Sequence, residues 1–120
     1  MTAEVGRFAG RHVLAELGGV DPGLLDDPDR LRELLVAALT EAGATVCDVV
    51  TRRFAPQGVT IVAMLEESHA SVHTYPELGM SFVDVFTCGE KADPEQAVQL
   101  FADALGASSL RLATILRGEG

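Results

Sequence analysis

Polar and apolar side chains alternate through Arg11–Leu17 (RHVLAEL), a period of two that predicts a strand closed by the turn Gly18-Gly19. The period then changes. The acidic, proline-containing stretch Asp21–Asp29 (DPGLLDDPD) supplies helix start signals. Leu31, Leu34, Leu35, Ala38 and Leu39 follow on one face of a 3.6-residue repeat, with Gly43 as the stop. From Ala44 to Thr87 the chain turns β-branched and aromatic, in ATVCDVVTRRF, GVTIVAML, SHASVHTY and MSFVDVFT. The breaks APQ, EE and PELG divide this stretch into four strands of an antiparallel meander. A second helix starts at Asp93 as N-cap and Pro94 as first residue, carries Val98, Phe101, Ala102 and Leu105 inward, and stops at Gly106. Ser109–Leu116 closes the order β-α-β-β-β-β-α-β as a last strand.

Two amphipathic helices need an apolar surface, and the strands supply one. The predicted fold is therefore an α+β two-layer sandwich, an antiparallel sheet with both helices on one face. Val59, Ile61, Ala63, Val72, Phe82, Val83 and Phe86 are more apolar side chains than one covered face requires, so the opposite face is expected to meet a second copy. At 120 residues and 48% hydrophobic content the chain reads as a single domain, 1–120, able to bury a small core. The segment after Leu116 is too short to suggest a further domain. No residue pattern recurs at a fixed period.

Charge narrows the partners. A formal net charge of −9 and a single lysine, Lys91, leave no basic patch for phosphates, which argues against nucleic acid and anionic membranes and favours a cationic small molecule. No run approaches a membrane span, and Met1–Gly10 lacks the apolar region of a secretory signal, so a cytoplasmic location is expected. Cys47 and Cys88 are too far apart for a CxxC pair and form no disulfide framework. Taken alone, each is a small buried hydrophobe.

Glu66–Gly89 (EESHASVHTYPELGMSFVDVFTCG) concentrates Ser68, His69, Ser71, His73, Thr74, Glu77 and Cys88 in one strand-turn-strand unit. Strand parity places Ser68 and His73 on opposite faces unless a bulge intervenes. His69, His73 and Glu67 match no standard metal spacing, and no Gly-x-Ser-x-Gly elbow accompanies a serine, so neither a metal site nor a serine hydrolase is indicated. By itself Phe54 reads as a core strand aromatic and Glu77 as a solvated turn acid; His12 reads as structural, and Asp21–Asp29 as a solvated helix start.

Here the sequence resembles the prokaryotic S-adenosylmethionine decarboxylases, which depend on a pyruvoyl group made from their own chain. The resemblance rests on Gly10-Arg11-His12, Phe54, Gly58-Val59-Thr60, Glu67-Ser68-His69, His73-Thr74-Tyr75-Pro76-Glu77 and Asp84-Val85-Phe86-Thr87-Cys88-Gly89-Glu90. It runs from about Gly10 to about Leu105 with the spacing between motifs kept. It implies autocatalytic serinolysis at Glu67-Ser68: Ser68 attacks the Glu67 carbonyl, the peptide becomes an ester, and elimination and hydrolysis leave fragments 1–67 and 68–120, the second headed by the pyruvoyl group. Serine suits this, because one side chain must be nucleophile and then β-leaving group.

The resemblance also assigns roles. His73 supports processing, as suits a neutral imidazole taking the Ser68 α-proton. Thr60 stands where many relatives have a serine that bonds the processing intermediate, and its extra methyl restricts χ1. The pyruvoyl carbonyl forms a Schiff base with the substrate amine and draws in the electrons released with CO2, and Cys88 returns the proton, a thiol of reference pKa about 8.5 being able to hold and release one. Phe54 stacks on adenine and faces the sulfonium charge; Glu77 binds the ribose hydroxyls.

The first expectation is thus a decarboxylase of S-adenosylmethionine, supplying the aminopropyl donor of polyamine synthesis, as a homodimer with sites near the interface. A second keeps the pyruvoyl chemistry with ornithine or arginine as substrate, prompted by Tyr75 in place of a common tryptophan, by Thr60, and by Met64-Leu65-Glu66 before the cleavage bond. A non-catalytic homologue would be expected to have lost Ser68, His73 or Cys88, and all three are present.

Overall fold

The computed structural model describes residues 9–118; residues 1–8 of the segment read above for a leader lie outside it. The chain runs β1 (Ala9–Gly18), α1 (Pro22–Leu25), α2 (Pro28–Glu41), β2 (Val46–Arg53), β3 (Val59–Leu65), β4 (Ser68–Tyr75), a 3-10 turn (Pro76–Leu78), β5 (Met80–Cys88), α3 (Pro94–Leu105) and β6 (Ser109–Gly118). The six strands form one antiparallel sheet in the order β2-β3-β4-β5-β1-β6. β2 to β5 are the expected meander. β1 enters between β5 and β6, a placement that no local pattern encodes.

Helix starts are chemical. Asp27 accepts from the Arg30 amide at 3.1 Å and Asp93 from the Gln96 amide at 3.1 Å, each followed by proline at the first helical position. Asp21 caps the short α1 in the same way through the Leu24 amide. The acidic stretch therefore encodes two helix starts where one was expected. The single core holds Val13, Leu17, Ile61, Val72, Val83 and Val85 of the sheet against Leu31, Leu35, Leu39, Val98 and Phe101 of α2 and α3. Both long helices thus cover one face.

Register assigns the other face. Val59, Ile61, Ala63, Val72 and Val83 point to the helices, whereas Phe82 and Phe86 lie on the open face; the apolar surplus expected there is made instead by Leu14, Val50, Val62 and Met64 with Phe82. The reason is parity: Ser81, Val83, Val85 and Thr87 take the inward positions of β5, so the phenylalanines between them turn out. Cys47 is exposed at the β2 bulge, which corrects its reading as buried. No helix is long and apolar enough to cross a membrane among the described residues.

Candidate active site

The β3–β4 hairpin closes over two residues, Glu66 and Glu67, between the paired Leu65 and Ser68. Glu67 takes φ +58°, the one non-glycine residue with positive φ among those described. That left-handed conformation costs a non-glycine residue on the order of 1 kcal/mol, and here it sits on the carbonyl side of the bond that serinolysis would break. Ser68 opens β4, and its Oγ accepts from the Cys88 amide at 3.3 Å across the sheet. A cavity of about 110 Å³ at this end is lined by Glu67, Ser68, Thr87, Cys88, Lys91 and Gly43. Gly43, at φ +95°, leaves space for the Lys91 carbonyl, which a Cβ would approach to 2.3 Å.

The other predicted residues gather at the opposite end of the sheet. Thr60 Oγ1 and His73 Nδ1 share a 3.1 Å hydrogen bond on the open face, where the two residues are register partners. Phe54 follows β2 and is exposed, with the Arg52 guanidinium 5.7 Å over its ring; Glu77 is exposed in the 3-10 turn after β4. Buried polar links fix this end. Thr74 Oγ1 accepts from the Val59 amide at 2.8 Å and donates to the Leu25 carbonyl at 2.7 Å. Asp26 accepts from the Gly58 amide and from Arg53, and the Arg53 hydrogen bond, then the Gly58 one, hold its carboxyl below the usual range. The loop that carries Phe54 is thereby tied to the helical layer.

β4 pairs without a bulge on either side, so the parity separation of Ser68 from His73 stands. Five residues of strand also put them about 16 Å apart along β4. The structure brings Ser68 beside Cys88 and His73 beside Thr60, but does not join the two pairs.

Between them, on the open face, lies a cluster whose pairing local sequence pattern could not reveal. His12 Nε2 is 2.7 Å and His69 Nε2 3.4 Å from Asp84 Oδ2, and the Ser71 hydroxyl donates to Asp84 Oδ1. The three ligand atoms of His12, His69 and Asp84 lie within 4.8 Å of one another, a spacing a cation could use. The Arg117 guanidinium lies 3.4 Å from His12 Nδ1, on the ring edge away from Asp84. His12, His69 and Ser71 thus converge on the Asp84 carboxylate. A hollow of about 450 Å³ beside it is lined by Ser71, His73, Phe82, Asp84, Glu16 and Arg111, away from Ser68.

Burial pushes the Asp84 carboxyl up, but the hydrogen bonds from Ser71 and His12 and the charges of His69 and His12 outweigh it and hold the group below its ordinary value. A depressed carboxyl contributes stability above its unfolded value of about 4 and loses it as pH falls through the lower folded value. Asp84→Asn should therefore cost about 1 kcal/mol at pH near 6, and the gap in urea midpoint from the wild type should close as pH falls towards about 2. A gap constant over that range would show that the charge contributes nothing.

The family model described as S-adenosylmethionine decarboxylase matches residues 11–118. The chain belongs to that family. It is similar to an S-adenosylmethionine decarboxylase proenzyme of Synechococcus sp. (strain WH7803), 47% identical over 110 residues, covering 92% of this chain and 86% of the relative. One from Caldicellulosiruptor saccharolyticus is 43% identical over 109 residues, covering 91% and 88%. Among solved structures, the adenosylmethionine decarboxylase from Aquifex aeolicus VF5 superposes with a TM-score of 0.80 at 34% identity, covering 95% of this chain and 92% of that one.

Proposed function

We propose that this chain is a self-processing S-adenosylmethionine decarboxylase whose active sites are each completed by a second copy. The decarboxylation follows from family membership; the reading with ornithine or arginine as substrate is not favoured by it. The observation that carries the composite site is the division of the predicted residues into two ends of one sheet, Ser68 and Cys88 at one and Phe54, Thr60, His73 and Glu77 at the other. A two-fold dimer would set one copy's cleavage end against the other copy's binding end, and do so twice, with Ser68, on the helix side of β4, reached past the Glu66-Glu67 turn rather than through the sheet. The exposed Leu14, Val62, Met64 and Phe82 supply the apolar area for that contact.

The cleavage end fits a pyruvoyl group derived from Ser68: a serine after a strained turn, its Oγ held by the Cys88 amide, faces a small cavity. Such a group supplies a carbonyl that draws in the electrons released with CO2. The chain's own residues do the rest. His73, with its ring held by Thr60, takes the Ser68 α-proton during processing; Cys88 Sγ delivers a proton to the carbon that loses CO2; Phe54 offers a ring face to adenine and sulfonium, and Glu77 a carboxylate to the ribose. The product is the aminopropyl donor for polyamine synthesis. Two free cysteines, Cys47 exposed, support a reducing, cytoplasmic setting.

Intact mass under denaturing conditions tests the reading. Fragments 1–67 and 68–120, the second with a pyruvoyl end, are expected from the wild type, with CO2 released from S-adenosylmethionine and not from ornithine or arginine. Ser68→Ala should remain one 12.7 kDa species. A wild type that also stays whole and releases no CO2 would overturn the proposal.

A further inference from the structure

Thr87 is 2% exposed, and its Oγ1 is buried with no hydrogen-bond partner. Buried hydroxyls are seldom left unpaired, because the lost hydration goes uncompensated, so an orphan in a packed strand asks for a cause. Among the described residues Thr51 is the other such group, and it lies opposite Ile61, away from the cleavage segment. Thr87 lies on that segment. His69 pairs with Phe86, so Ser68 and Thr87 are the next facing positions of β4 and β5 and share the helix-side face. Both line the small cavity with Glu67 and Cys88.

We propose that Thr87 is a processing residue: its hydroxyl donates to the oxyanion that forms on the Glu67 carbonyl oxygen. The inference rests on the self-processing reading above. In the first step Ser68 Oγ bonds to the Glu67 carbonyl carbon, which becomes tetrahedral, its oxygen taking the negative charge. The peptide bond between the Glu67 carbonyl carbon and the Ser68 nitrogen then breaks, the hydroxyl proton passes to the Ser68 nitrogen, and an ester with a free amine remains. Elimination removes the Ser68 α-proton and breaks Cβ–Oγ, releasing the Glu67 carboxylate; water then replaces the amine as ammonia to leave the pyruvoyl carbonyl. The first step places the charge of the tetrahedral intermediate on the Glu67 carbonyl oxygen, and a donor with no ground-state partner bonds there without first breaking another bond. The orphan hydroxyl of the precursor is what such a donor looks like before reaction.

Thr87→Val keeps the shape and removes the donor. Cleavage followed by intact mass should slow about 100-fold. Thr87→Ser should recover most of the rate, and the uncleavable Ser68→Ala precursor should lose no thermal stability when Thr87→Val is added, since the orphan disappears. Hydroxylamine, which captures the ester, should release fragment 1–67 more slowly from Thr87→Val by the same factor, because ester formation itself is retarded. Wild-type cleavage rates in Thr87→Val would overturn the inference and reveal a hydroxyl paired only by cavity water. Rapid hydroxylamine capture with slow elimination would overturn it too, moving Thr87 to the later step. If Thr87→Val does not fold, Thr87→Ala, equally without a donor, decides by the same rates. A wild type that never cleaves counts against self-processing as a whole; a wild type that cleaves while Thr87→Val matches it counts against Thr87 alone.

Discussion

Co-expression of a Ser68→Ala chain with a His73→Ala chain is expected to restore cleavage that neither shows alone. Ser68→Ala has no nucleophile, and His73→Ala lacks the base that takes the Ser68 α-proton, so each homodimer stays whole. If sites are shared, a mixed dimer holds one site with both defects and one with neither, the latter joining Ser68 of the His73→Ala chain to His73 of the Ser68→Ala chain. Random pairing makes half of all dimers mixed, so about half of the His73→Ala chains should be cut, and no Ser68→Ala chain. The outcome follows from the proposed shared site. Ser68 and His73 are at opposite ends and on opposite faces of β4, with continuous pairing to β3 and β5 forbidding the slip that would bring them together. Absence of any cleaved product in the mixture, with mixed dimers verified by differential tags, would refute the shared site and require a rearranged β4 within one chain.

That separation is legible in the sequence, because side-chain parity follows from spacing alone. So are the strands, both long helices, the Asp93 cap and a helix start within Asp21–Asp29, since each is written in local pattern. Phe82 and Phe86 were assigned to the apolar excess without a face, although the alternation with Val83 and Val85 held the answer. What lay out of reach were long-range meetings. His12 finds Asp84 across 72 positions, and β1 slots between β5 and β6, through pairing energies that no window of sequence contains. The left-handed φ of Glu67 was hidden for another reason: Glu-Glu is not a turn pair that glycine chemistry would announce, so hairpin closure overrides local preference. Thr87 escaped notice because an unpaired hydroxyl is a property of packing, and a threonine beside a strand cysteine looks like ordinary β-sheet material.

Cys88→Ala should separate processing from turnover. Cleavage needs Ser68, and the contact from residue 88 to Ser68 Oγ comes from its backbone amide, which alanine retains. Fragments 1–67 and 68–120 are therefore expected from Cys88→Ala. Turnover differs, because the carbon that loses CO2 must take a proton, and Cys88, which ends β5 and lines the small cavity with Ser68, is the proposed source. Without the thiol the proton must come from water, and kcat should fall by about 10² to 10⁴ while KM moves little, since the residues proposed to bind adenine and ribose, Phe54 and Glu77, are untouched. Cys88→Ser tests the chemistry more finely: a hydroxyl fits the position, but its higher pKa makes it a poorer acid, so its kcat should stay far below that of the wild type. A Cys88→Ala chain that cleaves normally and keeps most of its kcat would remove Cys88 as proton donor. One that fails to cleave, with its fold intact by circular dichroism, would instead assign the thiol to the formation of the site, where the Cys88 amide already holds the nucleophile.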